Sequence, residues 1–354
     1  MFYYVLPLLI WLLFCLFWSS RDDRPTSLQS LLAFLPLVIV ACLRGDVGTD
    51  TYAYLAEIDL KIHDLNRPWG EFEPGFELVI GVLGAVFNNA RAVVLVVTFI
   101  NAGLFYVALK RWGGSRLVGA ALVVPGFFFD YTMNGLRAGM AVQLCVLAYL
   151  ALESRRPLWG VVLAAAAISV QMTSVVFLGL LFVYKMPFRM SVRRALALLV
   201  VIVGFGALFG ALFSERVLAK AVLYEVSSAP SAVSGLAPVL ISVMLLLPFL
   251  ANVKSRAFRA SLMLLIFQLG FFQLSSITYA GLRFQLLCLF AQALVVQREL
   301  APQRFTRPTV VACCCVFFAA SLSWEIRNFE NERGTGGESP YLPYQFFWQA
   351  QGPA

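Results

Sequence analysis

Charged and aromatic side chains gather in one short stretch at the end of a long apolar segment. Eleven residues there contain an arginine, two aspartates and two tyrosines: Arg44, Asp46, Asp50, Tyr52 and Tyr54. Ionised groups at a membrane rim are costly unless they are paired or bind a ligand, so this stretch predicts a partner. Gly45 and Gly48 allow a tight turn and would leave backbone amides free to face an anion. Arg44 therefore either binds an anionic substrate or forms a structural salt bridge with Asp46 or Asp50.

Two further arginines lie between apolar segments. Arg137 follows Asn134-Gly-Leu, and Arg283 follows Tyr279-Ala-Gly-Leu. A guanidinium stays charged and its planar fork fits phosphate oxygens, so arginines at two helix starts could clamp a pyrophosphate. The structural alternative is that each arginine snorkels to lipid headgroups or pairs with an internal acid.

Carboxylates at similar junctions are candidate bases. Glu73 and Glu77 bracket Pro74-Gly-Phe76, which leads into a short apolar piece. A carboxylate there could accept a proton from a sugar hydroxyl. Glu73 could instead cap the short helix and interact with its dipole. Asp50 has the same two interpretations, as a base or as the N-cap of the helix that follows it.

Amide and aromatic side chains in the same regions could bind a sugar. Gln171 lies among polar residues in the middle of an apolar stretch, where it could hydrogen-bond a sugar or satisfy backbone groups freed by a broken helix. Tyrosine rings near the membrane surface could stack on sugar rings, or form the aromatic belt common at membrane interfaces. These tyrosines are Tyr52, Tyr54, Tyr279, Tyr341 and Tyr344.

The composition places these residues in a membrane protein. Of the 354 residues, 60% are hydrophobic and 13% are charged, and the mean hydropathy of +0.82 excludes a water-soluble domain of this size. The net charge of +8 would suit nucleic acid, but the basic residues fall between apolar segments, where membrane topology explains them. The chain has one histidine, His63, and its seven cysteines lie in or beside apolar segments. Without a metal- or nucleotide-binding motif, we expect no metal and no cofactor.

The apolar segments predict an all-α polytopic fold in a single integral membrane domain, 1–354. A spanning helix needs about 20 mostly apolar residues, and about ten segments qualify. They are 2–18, 28–43, 91–109, 117–133, 136–152, 195–213, 236–252, 260–279, 283–297 and 309–324. The segment 76–87 is too short to cross and predicts a re-entrant half-helix. Polar residues interrupt 158–184, which predicts two short helices.

Basic connections predict the orientation of the chain. Six of them hold 17 of the 27 Lys and Arg residues and should face the cytoplasm: 19–27, 110–116, 153–157, 185–194, 253–259 and 297–308. The loop 44–76, the loop 214–235, both termini and the tail 325–354 then face outward. Within 44–76, apolar residues at helical spacing predict an amphipathic helix on the membrane surface, with one face formed by Tyr52, Leu55, Ile58, Ile62 and Leu65.

With these motifs in order, the chain resembles the EpsG family of Wzy-like exopolysaccharide polymerases. The resemblance rests on Arg44-Gly, Gly48-Thr-Asp-Thr-Tyr52, Glu73-Pro-Gly-Phe76, the 134–137 turn, the polar break near Gln171, the late Arg283 and the tyrosine-rich ends. Two positions depart from the pattern usual in that family. Ala138 stands where Gln is usual, and Gln171 stands where the polar break usually carries His.

The resemblance implies a bacterial cytoplasmic-membrane enzyme that takes polyprenyl-pyrophosphate-linked oligosaccharides in the outer leaflet and joins them. In this hypothesis Arg137 and Arg283, with Arg44, stabilise the leaving pyrophosphate, and Asp50 or Glu73 activates the acceptor hydroxyl. Tyr52, Gln171 and Tyr279 would bind the sugars, and flippase and chain-length regulator proteins would be partners. A transporter or flippase for lipid-linked sugar is the non-enzymatic alternative. A ligase or single-sugar transferase is the enzymatic one.

Overall fold

The computed structural model describes residues 1–19, 25–63, 72–112, 120–185, 235–275, 280–300, 308–331 and 339–349. Within these ranges the protein is helical, and the only β-type pairing is an isolated antiparallel bridge between Arg44 and Phe346. The predicted span 195–213, the loop 214–235 and Tyr279 lie outside the described residues.

Thirteen α-helices occur in the described ranges. They are α1 (Phe2–Ser19), α2 (Ser27–Cys42), α3 (Thr51–His63), α4 (Pro74–Phe87), α5 (Ala90–Trp112), α6 (Ala120–Phe129), α7 (Leu136–Glu153), α8 (Pro157–Val170), α9 (Ser174–Val183), α10 (Leu236–Met244), α11 (Arg256–Ser275), α12 (Ala280–Leu300) and α13 (Pro308–Asn331). A π-helical turn, Asp130–Asn134, follows α6, and a 3-10 helix, Leu247–Asn252, follows α10.

Four of the described helices are long and apolar enough to cross a membrane: Ala90–Trp112, Leu136–Glu153, Arg256–Ser275 and Ala280–Glu299. Several other apolar helices are shorter, at 10–17 residues. The helical class and the membrane-helix character predicted from the sequence are therefore confirmed, whereas the number of about ten spans stays a prediction.

The two irregular segments are short helices, as predicted. Helix α4 has 14 residues and ends at Asn88, whose φ of 46° is left-handed. At about 1.5 Å per residue it is about 21 Å long, less than the ~30 Å hydrocarbon core. The segment 158–184 is split into α8 and α9 at Gln171.

The predicted span 236–252 is wrong as one helix, since α10 stops at Met244 and a 3-10 helix carrying Pro248 follows. Proline has no amide hydrogen and disfavours a continuing α-helix.

The chain divides into two compact units. The first comprises 1–179 and 293–354, and the second comprises 180–292. In the first unit α7 packs against α5 and α8, while α6 packs against α1 and α13. In the second unit α10 packs against α11, and the Cys288 thiol of α12 contacts the Leu264 carbonyl oxygen of α11 at 3.0 Å.

The first unit brings together residues in or beside several of the basic connections that the sequence assigns to the cytoplasmic face. Lys110 Nζ donates to Ser27 Oγ at 2.7 Å, and Arg298 pairs with Glu153 at 2.6 Å. Trp112 Nε1 donates to the Leu294 carbonyl oxygen at 2.7 Å. We call this region the basic end of the first unit.

Candidate functional site

The Arg44 motif is anchored at the opposite end of the same helices. Arg44 is 4% exposed, and its guanidinium donates only to neutral oxygens. The acceptors are Thr51 Oγ1, Thr98 Oγ1 and the carbonyl oxygens of Ala41, Thr132 and Met133, at 2.7–3.2 Å. The predicted alternative of a salt bridge with Asp46 or Asp50 is wrong, because Asp46 pairs with Arg91 at 2.6 Å and Arg44 contacts no carboxylate of the described residues. Arg44 instead holds the end of α2 against α3, α5 and the 130–134 turn.

The C-terminal tail covers the glycine amides of this motif. Gly45 N donates to the Gln345 carbonyl oxygen at 2.7 Å, and Gly48 N donates to that of Pro340 at 2.8 Å. Phe347 N donates in turn to the Leu43 carbonyl oxygen at 3.0 Å. The prediction that these glycine amides face an anion is therefore wrong. Gly48 has a φ of 107°, a conformation that favours glycine.

Two tail tyrosines that were candidates for sugar stacking are buried in this interface. The Tyr341 ring stacks on Phe329 at 4.2 Å between centroids, and its hydroxyl accepts from Asn134 Nδ2 at 2.5 Å. The Tyr344 hydroxyl donates to the Val40 carbonyl oxygen at 2.7 Å. Tyr341 therefore holds the tail against the turn that precedes Arg137, and Tyr344 holds it against the end of α2.

A buried asparagine fixes the path of that turn. Asn101 Nδ2 of α5 donates to the carbonyl oxygens of Tyr131, in the π-helical turn, and Leu136, at the start of α7. Gly139 permits the close approach, since a Cβ there would lie 2.1 Å from the Tyr131 carbonyl oxygen. The 130–134 turn therefore fixes the start of α7, and with it the position of Arg137.

Arg137 forms the centre of the candidate active site. Its Nη1 pairs with Glu73 Oε2 at 2.5 Å, and its guanidinium carbon lies 4.7 Å from the centroid of the Phe72 ring. The Tyr54 hydroxyl lies within electrostatic range of the guanidinium, while Arg137 Nε is buried without an acceptor among the described residues. This arrangement presents a guanidinium paired with Glu73 and covered by Phe72, with its Nε directed to no acceptor of the described residues. We call Arg137, Glu73, Phe72 and Tyr54 the Arg137 cluster.

Glu73 occupies the N-cap position of α4 but does not cap it. Its side chain makes no capping hydrogen bond, because the carboxylate turns to Arg137. The predicted capping role is therefore wrong. Glu77, one turn later, pairs with Lys61 at 2.6 Å and accepts from the Phe72 amide at 2.9 Å. Glu77 thus joins α3 to α4 and fixes the residue whose ring covers Arg137.

Asp50 and Tyr52 flank the start of α3. The helix begins at Thr51, so Asp50 occupies the predicted N-cap position. Burial raises the pKa of the Tyr54 hydroxyl; the Arg137 charge lowers that pKa and the Asp50 charge raises it, which places Asp50 in electrostatic range of the Arg137 cluster. The predicted apolar face is wrong at Tyr52, which is 67% exposed while Tyr54 and Ile58 are buried. Helix α3 packs through that face on α4 and α5.

The polar break at Gln171 approaches the same region. Ser169 packs on Gly75, where a Cβ would lie 2.2 Å from Ser169 Oγ, and Val170 packs in the apolar cluster that includes Tyr54 and Phe76. Gln171 itself is largely buried, and its Nε2 donates to Thr173 Oγ1 at 3.3 Å. Its role toward a sugar stays a prediction.

Arg283 belongs to the second unit and is exposed on the first turn of α12, so its grouping with Arg137 stays a prediction. The part of the chain that the structure describes contains no group of three His, Cys, Asp or Glu side chains able to hold a metal ion.

The sequence did not predict the contacts of Phe72 and Tyr54 with Arg137 or the role of Asn101. An asparagine in the middle of the predominantly apolar α5 was the available signal for the last of these.

Comparison with known proteins gives one family. The model of the EpsG family matches residues 27–346, which include the Arg44 motif, the Arg137 cluster and most of the tail. No curated protein and no solved structure matches the chain. Because the family model covers most of the sequence, the chain belongs to the EpsG family.

Proposed function

We propose that this protein is a polysaccharide polymerase that joins polyprenyl-pyrophosphate-linked oligosaccharide repeat units during exopolysaccharide synthesis. The observation that carries the proposal is the Arg137 cluster, in which Glu73 and Phe72 hold a guanidinium whose Nε has no acceptor in the described part of the chain. Membership of the EpsG family supports the same class of reaction.

In the proposed reaction, a hydroxyl of the acceptor sugar attacks the anomeric carbon of the donor sugar. The bond from that carbon to the pyrophosphate oxygen breaks, and its electron pair stays on the pyrophosphate. Arg137 stabilises this growing negative charge, because a pre-positioned donor acts more strongly on the transition state than on the substrate. Glu73 fixes the guanidinium through its Oε2. The proton of the acceptor hydroxyl passes to Asp50 or to the other oxygen of Glu73.

The remaining candidate residues bind the sugars and the pyrophosphate. We assign Tyr52 and Gln171 to sugar binding, and we retain Tyr279 and Arg283 as substrate contacts. The exposed ring of Tyr52, one residue from Thr51, is suited to stacking on a sugar. We further propose that the site faces outward from the bacterial cytoplasmic membrane and works beside a flippase and a chain-length regulator.

A reconstituted assay tests the reaction class. Purified full-length protein in lipid nanodiscs is incubated with a polyprenyl-pyrophosphate-linked repeat unit, and the products are sized by gel and mass spectrometry. A ladder of multiples of the repeat unit supports the polymerase. A single addition would make the protein a transferase or ligase, and the absence of reaction together with uptake into sealed vesicles would make it a transporter.

Arg137→Lys tests the residue that the reaction depends on. Lysine keeps the charge but loses the fork and the Nε donor, so we expect polymer formation to fall by about 100-fold, the usual effect of removing one oxyanion donor. Arg298→Lys is the matched control, since Arg298 also pairs with a glutamate and covers an aromatic ring, but at the basic end. Equal activity of the two variants would remove Arg137 from the mechanism.

A further inference from the structure

Arg44 carries a buried positive charge that no acid of the described residues neutralises. Its five hydrogen-bond acceptors are all neutral. Burial lowers the pKa of Arg44 to about 10, so the guanidinium is still charged at neutral pH. An unpaired buried charge is strongly unfavourable. By contrast, Arg137 has Glu73 and Arg91 has Asp46 as partners.

Arg44 lines a cavity of about 490 Å³ that is separate from the Arg137 cluster. Arg91 and Asn89 line the cavity from the start of α5, and apolar side chains complete its wall. These are chiefly Leu55, Leu95 and Phe347. None of Arg137, Glu73 and Tyr54 lines it. The cavity thus has a doubly cationic polar part and an apolar part, which is the chemistry of an amphiphile with an anionic head.

The ion pair beside the cavity can be exchanged for a ligand. Arg91 and Asp46 are 30% and 33% exposed, and an ion pair this exposed contributes little to stability. A phosphate carries more charge than a carboxylate and accepts two parallel hydrogen bonds from arginine. It would therefore compete well with Asp46 for Arg91 while also neutralising Arg44.

We propose that this cavity binds the pyrophosphate and first isoprenoid units of a second polyprenyl-linked molecule. The inference rests on the proposed polymerase function, because joining two lipid-linked units requires both to be bound at once. The phosphates lie between Arg44 and Arg91, and the isoprenoid chain lies against Leu95 and Phe347. The volume is within the usual range of about 300–1,000 Å³ for small-molecule sites and suits the head of such a lipid but not its whole length.

Farnesyl pyrophosphate provides a probe for both phosphate sites. Its binding to full-length protein in phosphatidylcholine nanodiscs is measured by equilibrium titration, with stoichiometry determined by native mass spectrometry. We expect two equivalents bound to the unaltered protein. Arg91→Gln and the cavity-filling Leu95→Trp should each weaken one of them at least tenfold, and Arg137→Lys should weaken the other.

Asp46→Asn distinguishes a ligand site from a structural ion pair. Removing the acid frees Arg91 and should tighten binding of the cavity equivalent about threefold, whereas loss of a merely structural pair would weaken it. Two equivalents retained in both Arg91→Gln and Leu95→Trp would overturn the proposal. Displacement of the cavity equivalent by phosphatidylglycerol would overturn it in favour of an ordinary phospholipid site. If Arg91-dependent binding persists while the product assay shows no polymer, the polymerase function fails and the prenyl-pyrophosphate site remains.

Discussion

Arg137 and Arg298 have similar surroundings at the two ends of α7. Arg137 pairs with Glu73 and lies over Phe72, and Arg298 pairs with Glu153 and lies over Trp112. The pairs differ in burial, since Glu73 is 4% exposed and Glu153 is 29% exposed at the side chain. The chemistry therefore cannot be assigned from the type of contact alone. It is assigned from the deeper burial of the Glu73 carboxylate and from the sequence motif around Arg137.

The difference in burial predicts how strongly polymer formation will respond when each glutamate is replaced by glutamine. Glu73→Gln leaves Arg137 without its counter-charge in a buried position, so we expect polymer formation to fall by about 10- to 100-fold, or ~1.4–2.8 kcal/mol at about 1.4 kcal/mol per tenfold. Glu153→Gln removes an exposed pair, so we expect activity to stay within about fivefold, corresponding to less than ~1 kcal/mol. Both variants are measured in the nanodisc assay at matched protein levels. Similar losses in the two variants would mean that the Arg137–Glu73 pair is only structural.

At the level of single residues, the sequence predicted which side chains matter but not which partners they contact. Residue type and spacing singled out Arg44, Glu73 and Arg137, because ionised groups beside apolar segments are expensive. Their partners could not be predicted in the same way, since Asp46 is nearest to Arg44 in sequence but pairs with Arg91. That choice depends on how α5 packs beside the 43–48 loop, which local sequence does not determine. Helical spacing likewise assigned Tyr52 to the apolar face of α3, although Tyr52 is exposed and Tyr54 is buried.

At the level of elements, α4 carries a close contact at one glycine and open space at another. A Cβ at Gly75 would lie 2.8 Å from the Ser169 carbonyl carbon, whereas a Cβ at Gly81 would have no neighbour within 4 Å. Gly75→Ala must therefore push α4 away from α8, with an expected loss of about 1–3 kcal/mol in stability. Gly81→Ala should be neutral or stabilise by up to about 1 kcal/mol through helix propensity. Thermal unfolding in detergent compares them, and equal melting temperatures would contradict this packing of α4 on α8.

The helices of the second unit contain fully buried glutamines that differ in their partners. Gln268 of α11 has neither amide atom hydrogen-bonded to a described residue, while Gln292 of α12 donates to the Ser242 carbonyl oxygen at 2.9 Å. An unsatisfied buried polar group costs about 1–3 kcal/mol. Gln268→Leu should therefore raise the melting temperature, and Gln292→Leu should leave it unchanged or lower it. A lowered melting temperature in Gln268→Leu would show that its amide has a bound partner.

The broken and interrupted helices were predictable to different degrees. Polar residues at the middle of 158–184 predicted the break at Gln171, because backbone groups freed within a membrane need polar partners. The end of α10 was missed, since apolar composition continues through the 3-10 helix and only Pro248 marks the change. Hydropathy records which residues avoid water and carries little information on where an apolar helix stops.

At the level of the molecule, the tail joins the first and last parts of the first unit. It donates to and accepts from the 43–48 loop, and its Phe347 lines the Arg44 cavity. Stopping the chain after residue 338 should therefore lower the melting temperature and reduce polymer formation at least tenfold, because Gly45 and Gly48 lose their acceptors and the cavity loses a wall. Stopping after Gln349 retains these contacts and is the control. Equal behaviour of the two truncations would show that the tail is dispensable.

The distribution of basic connections predicts which side of the membrane holds the site. Arg44, the tail and the N-terminal helix meet at one end, since the Tyr4 hydroxyl donates to the Tyr341 carbonyl oxygen at 3.1 Å, while Lys110 and Arg298 mark the other end. Positively charged connections remain in the cytoplasm, so alkaline phosphatase fused after Gln349 should be active and green fluorescent protein there should be dark. Fusions inserted after Ser154, beside the Arg298 pair, should behave in the opposite way. If both positions report the cytoplasm, or if the pattern is reversed, Arg137 cannot meet a sugar lipid in the outer leaflet, and the proposed polymerase would have to use substrates from the cytoplasmic side.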